Sequence, residues 1–136
     1  MTDSAATAVL HDVMPLCATL GMRADVYTAE QVVLELDWSP ALCTSSGLLH
    51  GGVIMALADS AGGACAFLNL PEGAGGTATI ESKTNFLGAV RKGSVIATAT
   101  PLHCGSSTIV VETEVRDDTG RLVAKVTQTQ AVLGAR

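Results

Sequence analysis

Charge is scarce in this 136-residue sequence, with only 15% of residues being Asp, Glu, Lys or Arg. Eight basic residues against thirteen acidic ones leave a net charge of −5. A nucleic-acid binder needs a basic face to neutralise phosphates, so that class is excluded. Aromatic residues are rarer still at 3%: two Phe, one Trp and one Tyr. The four cysteines (Cys17, Cys43, Cys65 and Cys104) form no C-x-x-C pair and read as buried or idle thiols. The first twelve residues, MTDSAATAVLHD, lack the basic start of a secretory leader. A membrane span is missing too. The most apolar stretch, Val53 to Leu70, is interrupted by Asp59, Ser60, Asn69 and Gly62-Gly63. A span wants about 20 mostly apolar residues and tolerates a central carboxylate poorly.

What the sequence has in excess is apolar surface: 48% of residues are hydrophobic and the mean hydropathy is +0.40. Disorder is thereby excluded. With the membrane set aside, the excess points to an oligomer that hides it, expected in the cytoplasm. The length suits one domain over residues 1–136.

A helical segment is expected in residues 1–20, as a short helix over Ala5 to Leu16 ended by Pro15, with Gly21 as a break. Strands follow at Arg23 to Tyr27 and Gln31 to Asp37. In the second, Val32, Leu34 and Leu36 share one face, the period of a half-buried strand. A loop from Ser39 leads to a long apolar helix over residues 51–69, closed by Pro71 and a glycine-rich loop at Gly73 to Gly76. Four strands are expected after it, at Thr77 to Leu87, Ser94 to His103, Ser107 to Arg116 and Arg121 to Leu133. Asp117-Asp118-Thr119-Gly120 reads as the hairpin between the last two. This order is α+β, with a sheet wrapped around one central helix that covers it on nearly every side.

Asp59 is the one charged side chain between His50 and Glu72, and it falls in mid-helix. A buried carboxylate must be paired, hydrogen-bonded or shifted in pKa. It either faces a wet seam, pairs with Lys83, Arg91 or Lys125, or serves as a nucleophile or general base. His50-Gly51-Gly52 stands where the loop enters the helix. There, unpaired N–H groups and the positive dipole end can polarise a carbonyl oxygen, and two glycines allow close approach. The same glycines would also permit tight packing. Asp59 lies eight residues beyond Gly51, about 12 Å along a helix. If the two cooperate, they come from two antiparallel helices across a dimer axis.

The stretch Gly47-Leu48-Leu49-His50-Gly51-Gly52-Val53-Ile54-Met55-Ala56-Leu57-Ala58-Asp59 resembles the PaaI-type branch of the hotdog-fold acyl-CoA thioesterases. The resemblance extends over nearly the whole chain. It implies a curved antiparallel sheet around a central helix, in homodimers that commonly pair into tetramers. It further implies that the Gly51 N–H polarises a thioester carbonyl, with His50 shaping the pocket or bonding near the sulfur. Asp59 of the partner subunit would attack the carbonyl or activate water. Relatives often carry Asn or Gln where this sequence has Thr44, whose hydroxyl lacks an amide's paired donor and acceptor. Ser45 and Ser46 are alternatives for that role. Thr79 matches a position where relatives often place a hydroxyl near the acid. The resemblance puts the coenzyme A nucleotide near Arg91-Lys92-Gly93 and near His103-Cys104-Gly105-Ser106-Ser107, which otherwise read as solvated turns. It implies no metal and no redox cofactor; coenzyme A enters only as part of the substrate.

Two rivals accompany this reading: a hotdog dehydratase, whose catalytic pair is not found on this helix, and a hotdog protein that binds acyl-CoA without turnover. Ala58-Asp59-Ser60-Ala61-Gly62 imitates a nucleophile elbow but lies inside a helix. Gly73 to Ala78 imitates a dinucleotide fingerprint in reversed context. Cys43 and His50 lack further metal ligands at a suitable spacing. Leu48, Val53, Met55, Leu57, Phe67 and Phe86 are candidate walls of an acyl pocket. Two phenylalanines leave open whether the acyl group is aromatic or aliphatic.

Overall fold

The computed structural model describes residues 1–134; Ala135 and Arg136 lie outside the described residues. Asp3 starts α1 (Ser4–Val13) by accepting the Ala6 N–H at 3.0 Å. Pro15 does not merely end that helix, as expected, but begins a second one, α2 (Pro15–Leu20). Proline is tolerated at the first helical position because the N–H it lacks has no partner there. Gly21, with φ of 77°, then provides the left-handed cap.

The strands are β1 (Arg23–Tyr27), β2 (Val32–Asp37), β3 (Ala74–Phe86), β4 (Ser94–Cys104), β5 (Thr108–Asp117) and β6 (Leu122–Gly134). They form one antiparallel sheet in the order β1-β2-β4-β5-β6-β3. Val32, Leu34 and Leu36 are fully buried, as their alternation predicts. The β5–β6 hairpin forms where expected. Asp117 Oδ1 accepts the N–H groups of Thr119 and Arg121, and Gly120 takes a positive φ. The glycine-rich loop is shorter than expected. Gly75 and Gly76 belong to β3, because the long end of β6 provides partners for them through the Ala74–Gly134 and Gly76–Leu133 pairs.

The long helix, α3 (Gly51–Phe67), stops two residues before the expected Asn69. The Asn69 side chain instead ties the helix end to the β1–β2 turn, donating to Cys65 O and Ala29 O. Ile54, Leu57, Ala58, Ala61, Ala64 and Cys65 face the sheet and are buried, and the small alanines let the helix lie close to it. The expectation of cover on nearly every side needs correction. Gly52, Met55, Asp59 and Phe67 form an exposed stripe, with Met55 39% and Phe67 58% accessible. One sheet covers one side of a helix. Leu57, proposed above as a pocket wall, lies on the covered side and belongs to the core. Among the described residues, no helix is long and apolar enough to cross a membrane.

Candidate active site

His50 caps α3. Its backbone is extended, and its Nδ1 accepts the Gly52 N–H at 2.8 Å. An amide N–H can only donate, so the neutral imidazole carries its proton on Nε2. Gly52 therefore spends its N–H on the cap. Gly51 is the first residue of the helix, where N–H groups have no carbonyl one turn earlier. The Phe86 ring from the end of β3 packs over it: a Cβ on Gly51 would sit 3.2 Å from the ring. The sequence motif thus becomes a helix end with one N–H donor and one imidazole N–H donor beside an aromatic ring.

Asp59, two turns on, lies on the exposed stripe. None of the basic residues considered as partners reaches it. Lys125 pairs with Glu112 and Glu114, and Lys83 lies opposite the exposed Thr127 on the outer face of the sheet. Neutral donors hold the carboxylate instead. Gln128 Nε2 donates to Oδ1 at 2.7 Å, and Thr79 Oγ1 donates to the same oxygen at 3.4 Å. Thr79 in turn accepts from Gln130 Nε2 at 2.7 Å. The strand register shifts between Thr79 and Glu81, a bulge of the kind that re-aims side chains beside functional sites. Burial pushes the Cys17 thiol of α2 up, a hydrogen bond with Ser60 opposes this in part, and Asp59's charge adds a smaller push upward.

Thr79 is thus brought to Asp59. Gln128 and Gln130, the deeper donors, were not expected from the sequence. A signal for them was present: on β6 they continue the buried phase of Ala124 and Val126, where two amides interrupt an apolar face. Thr44 lies exposed in the loop before the helix. Its N–H bonds to Leu48 O, and its side chain makes no helix-capping bond.

Arg91 is exposed on the turn beside the helix N-terminus, where the Leu49 N–H bonds to Val90 O. Gly105, Ser106 and Ser107 form the β4–β5 turn. The Gly105 N–H bonds to Thr108 O and the Ser107 carbonyl accepts from Val132. Ser106 borders a cavity of about 300 Å³ shared with Pro71 to Ala74, at the opposite end of α3. These two loops flank the 11-residue β4. At ~3.3 Å per residue, they stand roughly 35 Å apart within one chain. Among the described residues, no cluster of His, Cys, Asp and Glu suited to a metal occurs.

A long helix packed on a six-stranded antiparallel sheet, shared with solved thioesterase structures, defines a hotdog-fold hydrolase. Residues 46–124 match the thioesterase superfamily, and the chain belongs to that superfamily of thioester hydrolases. Rv1847 of Mycobacterium tuberculosis is 31% identical over 120 residues, 87% of this chain and 86% of that one. Its solved structure matches with a TM-score of 0.87 at 30% identity, covering 90% of this chain and 99% of the other. The thioesterase HI1161 of Haemophilus influenzae matches with a TM-score of 0.82 at 27% identity, covering 92% and 90%. The 1,4-dihydroxy-2-naphthoyl-CoA hydrolase of Escherichia coli is 37% identical over 87 residues, 64% of this chain and 63% of that enzyme.

Proposed function

We propose that this protein hydrolyses an acyl-CoA thioester, with Asp59 of one protomer and the His50-Gly51 helix end of another forming each site. The observation that carries the reading is an ionisable group with no charged partner among the described residues. Asp59 sits on an open helix stripe, and its neighbours within the chain are an amide and a hydroxyl. Along one helix it stands about 12 Å from Gly51, too far for both to act on one carbon. A second helix packed antiparallel along the Gly52–Met55–Asp59–Phe67 stripe brings the two together and removes that apolar surface from water.

In this arrangement the Gly51 N–H and the His50 Nε2–H meet the thioester, and the N–H polarises the carbonyl as negative charge develops on its oxygen. Asp59 either takes a proton from water as it adds to the carbonyl carbon, or adds first and is released by water. In both routes the C–S bond breaks, the sulfur leaves with a proton as free coenzyme A, and the carboxylate remains. Water and thioester are the only reactants, so the chemistry asks for no separate cofactor. Antiparallel pairing also sets the Arg91 turn of one subunit at the same end as the Gly105-Ser106-Ser107 turn of the other, so one nucleotide can meet both.

Steady-state hydrolysis of short, medium, long and aryl-acetyl CoA esters tests this. Asp59→Ala should lose about tenfold to a thousandfold in turnover, the range for positioned acid–base or nucleophilic groups. Unchanged turnover across the panel removes Asp59 from the chemistry. Tight binding of the esters by the unmutated protein without hydrolysis favours the binding-only alternative, in which Thr44 fails to replace an amide.

A further inference from the structure

Gln128 is wholly buried on a strand face that is apolar at Ala124 and Val126. Its Nε2 reaches Asp59, but among the described residues its Oε1 has no hydrogen-bond partner. Burying an unpaired acceptor opposes folding. The helix makes a second concession at the same place. Gly62 stands inside α3, where glycine is a poor helix former. A Cβ at that position would lie 2.0 Å from Gln128 Oε1. A glycine is needed there to leave room for the amide. Neither choice improves the core, and together they seat the amide where its Nε2 reaches Asp59.

The second donor is arranged in the same sense. Gln130, 1% exposed, donates to Thr79 Oγ1, which leaves the Thr79 proton to point toward Asp59 Oδ1. Among the described residues, both donors go to Oδ1 and none to Oδ2. A carboxylate turns easily about its last side-chain bond, exchanging its oxygens. Anchoring one oxygen removes that freedom and leaves the other with its lone pairs unengaged.

We propose that Gln128, seated in the gap left by Gly62, is a positioning residue that anchors Asp59 Oδ1 so that Oδ2 is the reacting oxygen. The inference rests on the role of Asp59 given above. Gln128→Met removes the donor while keeping a side chain of similar length, and Gly62→Ala keeps the donor but displaces it. Each should lower kcat about tenfold to a hundredfold and leave KM within about threefold, because the anchored carboxylate acts in the chemical step rather than in binding. Gln128→Met should hold or raise Tm, since it removes an orphaned acceptor. Gly62→Ala placed on Gln128→Ala should cost nothing further, as the group it displaces is gone. Asp59→Asn is measured alongside. Wild-type kcat in Gln128→Met beside an inactive Asp59→Asn overturns the positioning role and leaves that of Asp59 standing. Wild-type kcat in Asp59→Asn overturns both. If Gln128→Met does not fold, Gly62→Ala decides: a lowered kcat at unchanged KM supports the role, and an unchanged kcat overturns it.

Discussion

His50 and Gly52 are joined by a single hydrogen bond of 2.8 Å, in which the imidazole Nδ1 accepts the backbone N–H two residues later. The bond does two things. It satisfies one of the orphan donors of α3, and it fixes the ring's proton on Nε2, turned away from the cap.

The two roles separate by substitution. His50→Asn keeps a side-chain acceptor for the cap and should cost little stability, whereas His50→Ala should cost about 1 kcal/mol. Both lose the Nε2–H, so both should slow turnover by on the order of tenfold or more. Urea denaturation and hydrolysis rates check this together. Wild-type turnover in His50→Asn would show that the imidazole serves only the cap.

A proline at Gly51 removes one backbone donor and makes the Phe86 ring that packs over it shift by a few tenths of an ångström. Proline is tolerated at the first helical position, and His50 before it is already extended, with φ −62° and ψ 131°. Gly51→Pro and Asp59→Asn should each be inactive as pure proteins. Co-expressed, random pairing makes about half of the dimers mixed, and each mixed dimer has one intact site of two. Activity should return to about a quarter of wild type. If the mixture stays inactive, Gly51 and Asp59 do not meet across an interface.

If two copies pair as proposed, the open stripe on α3 is the surface that holds them together. Met55→Glu sets a second carboxylate one turn from Asp59 on a surface that is 39% accessible in the single chain. Its effect on the fold of one chain should be small, within about 0.5 kcal/mol. Its effect on association should be large, with mass by light scattering falling to the 13.8 kDa of a monomer and activity falling with it. An active Met55→Glu oligomer would place the contact elsewhere.

Thiol reactivity probes the core. Burial pushes the Cys65 thiol up to about 11 and raises Cys17 in the same sense, while Cys104 is exposed. A raised pKa leaves less thiolate at pH 8, and burial blocks access. Labelling with a thiol-reactive disulfide should modify Cys104 first and reach Cys17 and Cys65 only on unfolding. Mass spectrometry of the time course assigns the order. Early modification of Cys65 would contradict the packing of α3 on the sheet.

Much of this was legible in the residues because its causes are local. Alternation at Val32, Leu34 and Leu36 marks a strand, and Asp-Asp-Thr-Gly marks a hairpin. A histidine and two glycines before an apolar run mark a helix start. Pro15 shows its ending role in the sequence and its beginning role only in the structure, because a new helix depends on whether Met14 and Cys17 can close the next turn. Gly75 and Gly76 read as loop but lie in β3, because a glycine joins a strand when its partner strand is long enough to receive it.

The order of elements, the helix start at His50-Gly51-Gly52 and the isolation of Asp59 can be read along the chain, since each depends on sequence neighbours. The groups that surround that carboxylate come from the packing of distant strands against α3. Gln128 is 69 residues away from it, and nothing in local pattern says which inward-facing strand residue will meet which turn of a helix. Register decides that, and register is set by the summed pairing of whole strands. Composition gave an apolar excess without an address. The fold assigns part of it to one exposed stripe on α3, with the carboxylate at its centre.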